Sequence, residues 1–477
     1  MTLLDSVQRD GHRPHIVMVL ARGEAVRNFL YSDTLPTLSR HARVTLLSVM
    51  DDEEFVTRFS PPASCVVPLI QYPERRLVKS FRRLVHQGHF RWLWTEAVKT
   101  TWARHDAQAV TLQAKAKRML WKAVAYALAR RRVLEYLTEV ERRLTWALRT
   151  NDDYLELWRM LKPDLVFNTS HVHAPAADLP VRIARMLGIR TAAFIFSWDN
   201  PTSRSRIFPR YDYFLTWNNR MRGQLRELYP TTPEERILVT GTPQFDFHFR
   251  PQSALTREQL AQRIGIDPGR PFVLYTTGIA RHLPNEHVLV ETTARMLRET
   301  GVRPTPQLVV RTYIKGTSPE TKALAAQRLP GVTFAPMLWE EKWHMPLPED
   351  QVLYSALLRH AQVGINVGST VSLELLMHNK PVINIAYAPA GVDRPEHSRY
   401  LRYPQYEHYR PVIESGAVMV ARSEADLREM LGRALTAPGD GAEARHRFLD
   451  SMFGSTLDGR SGARVGQCLL EIAARVS

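Results

Sequence analysis

The feature that most constrains this chain is a recurrence. Short apolar runs, each closed by a small-residue or glycine turn, are followed by stretches with helical spacing. Ile16-Val-Met-Val-Leu20 leads through Arg22-Gly23 into a helical stretch ending near Tyr31, and a second apolar run covers Val44 to Val49. An apolar run too short for a helix and without polar alternation predicts a strand covered on both faces, as in a parallel sheet. The pattern continues at Cys65 to Ile70, Leu165 to Asn168, Thr191 to Phe196, Tyr211 to Trp217 and Ile237 to Thr240, with helices over Pro180 to Leu187 and Asn219 to Leu228. Six or seven strands with intervening helices predict one doubly wound α/β domain over residues 1–246. A stretch containing Pro251, Pro268 and a mostly polar helix predicts a linker over 247–270. Further runs at Pro271 to Gly278, Leu308 to Thr312, Val332 to Phe334, Val363 to Val367, Val382 to Ala386 and Val418 to Ala421 predict a second α/β domain over 271–477.

One segment breaks the alternation. Residues 74–150 hold 18 Lys and Arg against 6 Asp and Glu, so +12 of the chain's +16 net charge lies there. With a single glycine, Gly88, and no proline after Pro73, this reads as a helical layer inserted in the first domain. Half of the ten tryptophans fall in it: Trp92, Trp94, Trp102, Trp121 and Trp146. Basic clusters beside aromatic rings suit the surface of an anionic membrane, and Arg130, Arg131 and Arg132 are the expected contacts. The plainer alternative is a layer that buries its tryptophans against the sheet and leaves its charges in water.

Other classes lose ground. The two cysteines, Cys65 and Cys468, are too far apart in sequence for a clustered zinc site or a disulfide framework. No run of 18 apolar residues occurs, and Met1 to His15 is polar, so the expectation is a cytoplasmic protein, peripheral at the inner face of the cell membrane. The phosphate loop G-x-x-x-x-G-K-S/T, G-x-G-x-x-G after a strand, H-E-x-x-H and D-x-D are all absent.

The best positive signal is Asn366-Val-Gly-Ser-Thr-Val-Ser-Leu-Glu374, a buried strand end, a small turn and a helix start. Free N–H groups and the positive end of the helix dipole make such a turn an anion site. Gly368 permits close approach of a phosphate, the Ser369 and Thr370 hydroxyls can donate to it, and Glu374 can accept from ribose hydroxyls. Alternatively, Ser369 is a helix cap and Glu374 a first-turn acid. Arg311 and Lys315 follow another strand and offer two cations to a diphosphate, while Thr277 and Gly278 follow the domain's first strand. In the first domain, Asn168-Thr-Ser-His-Val-His173 and Ser197-Trp-Asp-Asn-Pro-Thr-Ser-Arg204 close two strands, and His171 or Asp199 could act as general base, with Glu24 next in line. For Asp199 the alternative is an Asx turn before Pro201.

Ser197-Trp-Asp-Asn-Pro-Thr-Ser-Arg204, Val239-Thr-Gly-Thr-Pro-Gln-Phe-Asp246 and Gly368-Ser-Thr-Val-Ser-Leu-Glu374 with Lys380-Pro-Val-Ile383 resemble the GT-B glycosyltransferase superfamily. The resemblance is to bacterial surface-polysaccharide transferases and to CDP-glycerol glycerophosphotransferase-like proteins of teichoic acid synthesis. It implies two facing Rossmann-like domains, an acceptor site in the first, and a nucleotide diphosphate held in the second at Ser369 and Thr370 with Glu374 on the ribose. Similar proteins often carry Arg-x-His-Pro where this chain has Arg311-Thr-Tyr-Ile314, so the histidine is missing. The implied reaction is transfer of a sugar or polyol phosphate from a nucleotide-activated donor to a polysaccharide or lipid-linked acceptor. No acid stands eight positions from Glu374, which favours inversion, and the absent D-x-D pair suggests chemistry without metal. No cofactor is expected, the activated nucleotide being a substrate. A nucleotide-sugar 2-epimerase shares the fold and is the nearest rival. A nucleic-acid-binding protein using residues 74–150 is the rival from another class, although no recognition motif supports it.

Overall fold

The computed structural model describes residues 13–60, 62–172, 175–204, 206–250, 254–314, 316–393 and 398–475. The chain divides into two units, one comprising Met1–Val98, His105–Asp246 and Thr456–Ser477, the other Lys99–Arg104 and Phe247–Ser455.

The first unit is built on seven strands, β1 His15–Leu20, β2 Arg43–Ser48, β3 Cys65–Pro68, β4 Leu165–Asn168, β5 Arg190–Phe194, β6 Tyr213–Thr216 and β7 Ile237–Val239. They pair in parallel in the order β3-β2-β1-β4-β5-β6-β7. The central strands are covered on both faces, so β1 and β4 are buried along their whole lengths, which is why they read as unbroken apolar runs. Phe29, in a π-helical turn over Val26–Leu30, meets Phe167 and Phe194 edge-on at 5.4 and 5.2 Å and fixes that turn over β4 and β5.

The carboxy-terminal helix Ser461–Ala474 also belongs to this unit, where sequence patterning assigned it to the second domain. It lies against the helix Thr34–His41 through two glycines. A Cβ on Gly462 would come within 2.7 Å of Ser32 Oγ, and one on Gly466 within 2.8 Å of Thr37 Cβ. Asp246 accepts from the Ser461 and Gly462 N–H groups at 3.1 and 2.7 Å, capping that helix from the end of the first sheet's last connection. An amphipathic helix carries no mark of which sheet it covers, and only this close glycine packing decides it.

The basic segment forms four helices, Arg76–Leu93, Glu96–Gln108, Leu112–Leu128 and Arg131–Ala147. Its centre is charged as well as apolar. Glu141, fully buried, pairs with Arg82 at 2.7 Å and Arg182 at 3.0 Å. Burial pushes the Glu141 carboxyl up, but the two guanidiniums outweigh it and hold it below its usual range. Trp102 is buried and the other four tryptophans are half-buried. Arginines lie over each of those four rings, Arg83 on Trp121, Arg91 on Trp94, Arg131 on Trp92 and Arg149 on Trp146. Four of the five tryptophans thus lie half-buried under arginines of the same segment, an arrangement intermediate between rings buried against the sheet and rings free at the surface. Arg130, Arg131 and Arg132 are exposed, and Arg131 donates to the Glu227 carbonyl at 2.8 Å.

The second unit contains β8 Phe272–Thr276, β9 Gln307–Arg311, β10 Val332–Phe334, a two-stranded hairpin of β11 Trp339–Glu340 and β12 Met345–Pro346, then β13 Val363–Asn366, β14 Val382–Ile385 and β15 Met419–Ala421. Six of them form a parallel sheet ordered β10-β9-β8-β13-β14-β15. The stretch expected as a linker is integrated here. Its helix Arg257–Ile264 packs on the helix Pro348–His360, and the Arg257 guanidinium donates to the carbonyls of Pro268 and His360 at 2.7 and 3.1 Å.

Candidate functional site

In a parallel sheet that grows first to one side and then to the other, the loops at the reversal diverge and leave a crevice at the carboxyl ends of the strands. In the second unit that point lies between β8 and β13, and in the first between β1 and β4. The same device marks both. Asn366 ends β13 and its Oδ1 accepts from Gly368 N–H at 2.7 Å; Asn168 ends β4 and its Oδ1 accepts from Ser170 N–H at 3.1 Å. Each asparagine turns the chain sharply at the strand tip.

The β13 turn is held from below by a buried polar network. Asn366 Oδ1 also accepts from Ser372 Oγ at 3.1 Å and from Asn384 Nδ2 at 3.0 Å, and Tyr409 OH lies 2.7 Å from both Ser372 Oγ and Asn384 Oδ1. Burial pushes the Tyr409 phenol well above its usual range, so it stays a neutral hydrogen-bonding group. Gly368 has φ +84°, and a Cβ there would fall 2.5 Å from the Tyr403 ring. Ser369 caps the helix Thr370–Met377, its Oγ accepting from Val371 N–H at 3.3 Å, and both Ser369 and Thr370 are half-buried. The expected cap and the expected small-residue turn are thus both present. Asn384 and Tyr409 escaped the sequence reading, although an asparagine inside the apolar run Val382-Ile-Asn-Ile385 is a signal that could have found the first.

Glu374 does not face the strand tips. Its carboxylate is 4% exposed, with Oε1 3.1 Å from His248 Nε2 and Oε2 accepting from Tyr354 OH at 2.9 Å. His248 Nδ1 lies 3.2 Å from His378 Nε2. Burial, with His248, Arg359 and Lys380 nearby, brings His378 down to about 3, so it is neutral at ordinary pH and can donate from Nε2 to His248. The ribose role implied for Glu374 is corrected: the carboxylate ties a helix to the segment that enters the unit. Being the first full turn after Thr370 fixes its place along the helix, but not the partner that a residue 126 positions earlier supplies.

Arg311 is likewise committed. Its side chain is 6% exposed, Nη2 pairs with Asp350 Oδ1 at 2.6 Å, and Nη1 donates to the Pro336 carbonyl. Asp350 in turn accepts from Leu338 N–H at 2.9 Å and Trp339 Nε1 at 2.7 Å. The pair anchors the loop after β10, so Arg311 is not the diphosphate ligand expected. Lys315 lies outside the described residues, as does His173.

On the other side of the crevice, Thr277 N–H donates to the Arg311 carbonyl at 3.0 Å and Gly278 N–H donates to Glu286 Oε2 at 2.9 Å. A Cβ on Gly278 would lie 2.4 Å from Leu283 Cδ1. Glu286 is the residue that sequence reasoning missed here. It is buried with no cation against it among the described residues, and desolvation pushes it up to about 8, opposed by the bonds from Gly278 and Tyr275.

In the first unit, His171 and Glu24 follow the two strands flanking the reversal. His171 is half-buried with Nδ1 3.2 Å from the Phe194 carbonyl. Glu24 forms a forked pair with Arg22, at 2.8 and 3.1 Å, and the Arg22 guanidinium lies 5.0 Å over the Phe196 ring. Asp199, after β5, is engaged by its own turn. Its Oδ2 accepts from Ser203 Oγ at 2.7 Å and lies 3.5 Å from Arg204 Nη2, while Oδ1 accepts from Asn200 Nδ2 at 3.2 Å. Among the described residues no group of three His, Cys, Asp or Glu side chains is arranged to hold a metal ion, and no helix is long and apolar enough to cross a membrane.

No family model matches the sequence, and no curated protein matches it. Solved structures do. A UDP-N-acetylglucosamine 2-epimerase is 12% identical with a TM-score of 0.51, covering 96% of this chain and 95% of that one. The Neisseria meningitidis UDP-GlcNAc 2-epimerase bound to UDP-GlcNAc is 12% identical with a TM-score of 0.50, covering 96% and 99%. Staphylococcus aureus MnaA with UDP is 11% identical with a TM-score of 0.50, covering 94% of each chain. At this identity the likeness is one of fold, and the α/β architecture is that of GT-B proteins.

Proposed function

We propose that this protein is an enzyme acting on a nucleoside-diphosphate-activated sugar bound at the carboxyl edge of the second sheet. The observation that supports it is the turn Gly368-Ser369-Thr370 at the sheet's reversal point, held by Asn366, Ser372, Asn384 and Tyr409. It combines a backbone open to close approach, two hydroxyls and a helix start, the chemistry a diphosphate requires. Thr277 and Gly278 supply the opposite lip. The nucleotide enters this reading through the fold likeness, since one neighbour was solved with UDP and another, a UDP-GlcNAc 2-epimerase, with UDP-GlcNAc. That likeness favours 2-epimerisation of the sugar.

Transfer of the sugar, or of a polyol phosphate, to a polysaccharide or lipid-linked acceptor is the second reading. The helical layer favours it, because an epimerase with a free nucleotide sugar as substrate has no use for +12 of charge in 77 residues, whereas an acceptor at an anionic membrane surface does. His171, Glu24 and Asp199 are the candidate bases in either reaction.

Incubation with UDP-GlcNAc in D2O, followed by NMR, separates these readings. Deuterium at C2 with appearance of the epimer supports epimerisation. Release of UDP only when a lipid-linked acceptor is added supports transfer. Absence of both, with no thermal shift by any nucleoside diphosphate, overturns the proposal, because a ligand at 100 times its dissociation constant stabilises a protein by about 2.7 kcal/mol.

A further inference from the structure

The helix Leu112–Leu128 has two apolar faces. One, carrying Trp121, Ala125 and Leu128, turns toward the helix Arg76–Leu93, where Leu128 Cβ would meet a Cβ placed on Gly88 at 2.8 Å. The opposite face is exposed, and at its edge the Arg91 guanidinium lies 4.1 Å over the Tyr126 ring. Leu112, Ala116, Met119, Leu120, Ala123 and Tyr126 fall within an arc of roughly 120° at 3.6 residues per turn, and all six are exposed. Leu112 is 85% exposed, Met119 71%, Leu120 66% and Tyr126 54%. Single exposed apolar residues are ordinary on a protein surface, but a contiguous stripe along four turns of one helix is not.

The rim of the stripe identifies its partner. The helix has no acidic residue and four cations, Lys115, Lys117, Arg118 and Lys122. Arg118 and Lys122 pair with Asp106 at 2.7 and 2.6 Å, while Lys115 and Lys117 flank the stripe on either side, exposed and without an ion pair among the described residues. An apolar arc between two unpaired cations, on an acid-free helix in a segment of net charge +12, fits the boundary of an anionic bilayer, with side chains below the headgroups and ammonium groups among them. A second copy fits worse, since pairing this face with itself would bring the same cations together. We infer that the exposed face of Leu112–Leu128 is an in-plane docking surface for an anionic lipid bilayer. It rests on the second reading above, transfer to an acceptor at an anionic membrane surface, and deepens it by naming the face that meets the bilayer.

The test is co-sedimentation of the full chain with vesicles of phosphatidylcholine alone or with 30% phosphatidylglycerol. The expected result is binding to the anionic vesicles that falls at least tenfold on raising salt from 0.1 to 0.5 M, and at least tenfold in the triple variant L112Q/M119Q/L120Q. In Tyr126→Trp, the emission of the new tryptophan should shift to the blue on anionic vesicles and not on neutral ones. Equal recovery in the supernatant with both vesicles at low salt overturns the inference, as does binding undiminished in the triple variant. A concentration-dependent dimer that the triple variant abolishes, without vesicle binding, would assign the face to a second copy and also overturn it. All three substituted side chains are exposed, so folding is retained, and thermal shift by UDP on the same variant reads the donor site separately. A UDP response with no vesicle binding rejects the docking surface alone, and vesicle binding with no UDP response rejects the donor reading alone.

Discussion

Glu374 Oε1 lies 3.1 Å from His248 Nε2, with both side chains buried, and this contact closes a chain running from Tyr354 through Glu374 and His248 to His378. The chain fastens the Thr370–Met377 helix to the residues that enter the second unit. Glu374→Ala should therefore act on stability first. It removes the acceptor that Tyr354 OH and His248 Nε2 share, and losing a buried hydrogen-bond partner costs about 1–3 kcal/mol. Denaturant unfolding is expected to show that loss, and Glu374→Gln, which keeps an acceptor for Tyr354, should lose less. Full stability in the alanine variant together with lost nucleoside diphosphate affinity would return Glu374 to the ribose.

Gly368→Ala should impair the candidate donor turn directly. At φ +84° an L-residue costs about 1–2 kcal/mol, and the added Cβ also meets the Tyr403 ring at 2.5 Å. The turn can relieve that contact only by moving away from Tyr403, which carries Ser369 with it. Calorimetric titration with UDP is expected to show at least tenfold weaker binding at nearly native secondary structure. Unchanged affinity would remove the turn from the site.

The candidate bases separate by their surroundings. Asp199 holds its own turn through Ser203, Arg204 and Asn200, so Asp199→Asn should weaken that turn and lower thermal stability. His171 sits beside the reversal of the first sheet, its Nδ1 3.2 Å from the Phe194 carbonyl. If His171 is the base, His171→Ala lowers turnover of the NMR-detected reaction by about 10²–10⁴, with little change in substrate affinity. Less than tenfold loss would shift the role to Glu24 or Asp199, and Glu24→Gln is the next variant to assay.

The strands were legible because a parallel sheet covered on both faces excludes polar residues from its centre, and β1, β4, β8 and β13 could be read as apolar runs almost to the residue. The turn at Gly368-Ser369 was legible for the same reason, since a glycine after a buried strand and before a helix has few uses. What the sequence withheld were the partners. Glu374, Arg311 and Glu286 are each defined by a contact across the unit, with His248, Asp350 and Gly278, and chain position says which edge a residue reaches but not which side chain arrives there first. The helical layer failed by the same rule. Its tryptophans and its arginines were both visible, yet their stacking on one another was not, and the exposed stripe of Leu112–Leu128 lies on plain Leu, Met and Ala residues that composition alone would place inside.

Glu286 gives the second unit a pH dependence of unusual sign. Its carboxyl is raised from 4.5 to about 8, so in the folded state it stays largely protonated at pH 7 while the unfolded chain ionises freely. The neutral form thus contributes full stability below pH 4.5, and that contribution is lost as pH rises toward 8, reaching a deficit of about 3 kcal/mol at pH 7. Glu286→Gln keeps an acceptor for Gly278 N–H and removes the ionisation. The variant should unfold at higher denaturant than the parent at pH 7 and with no difference at pH 4. His378 runs the other way, since its depressed value of about 3 means stability is lost as pH falls below 6.5, but it is common to both proteins and cancels in the difference. A variant less stable than the parent at pH 7 would mean that Glu286 is ionised in the fold and satisfied there.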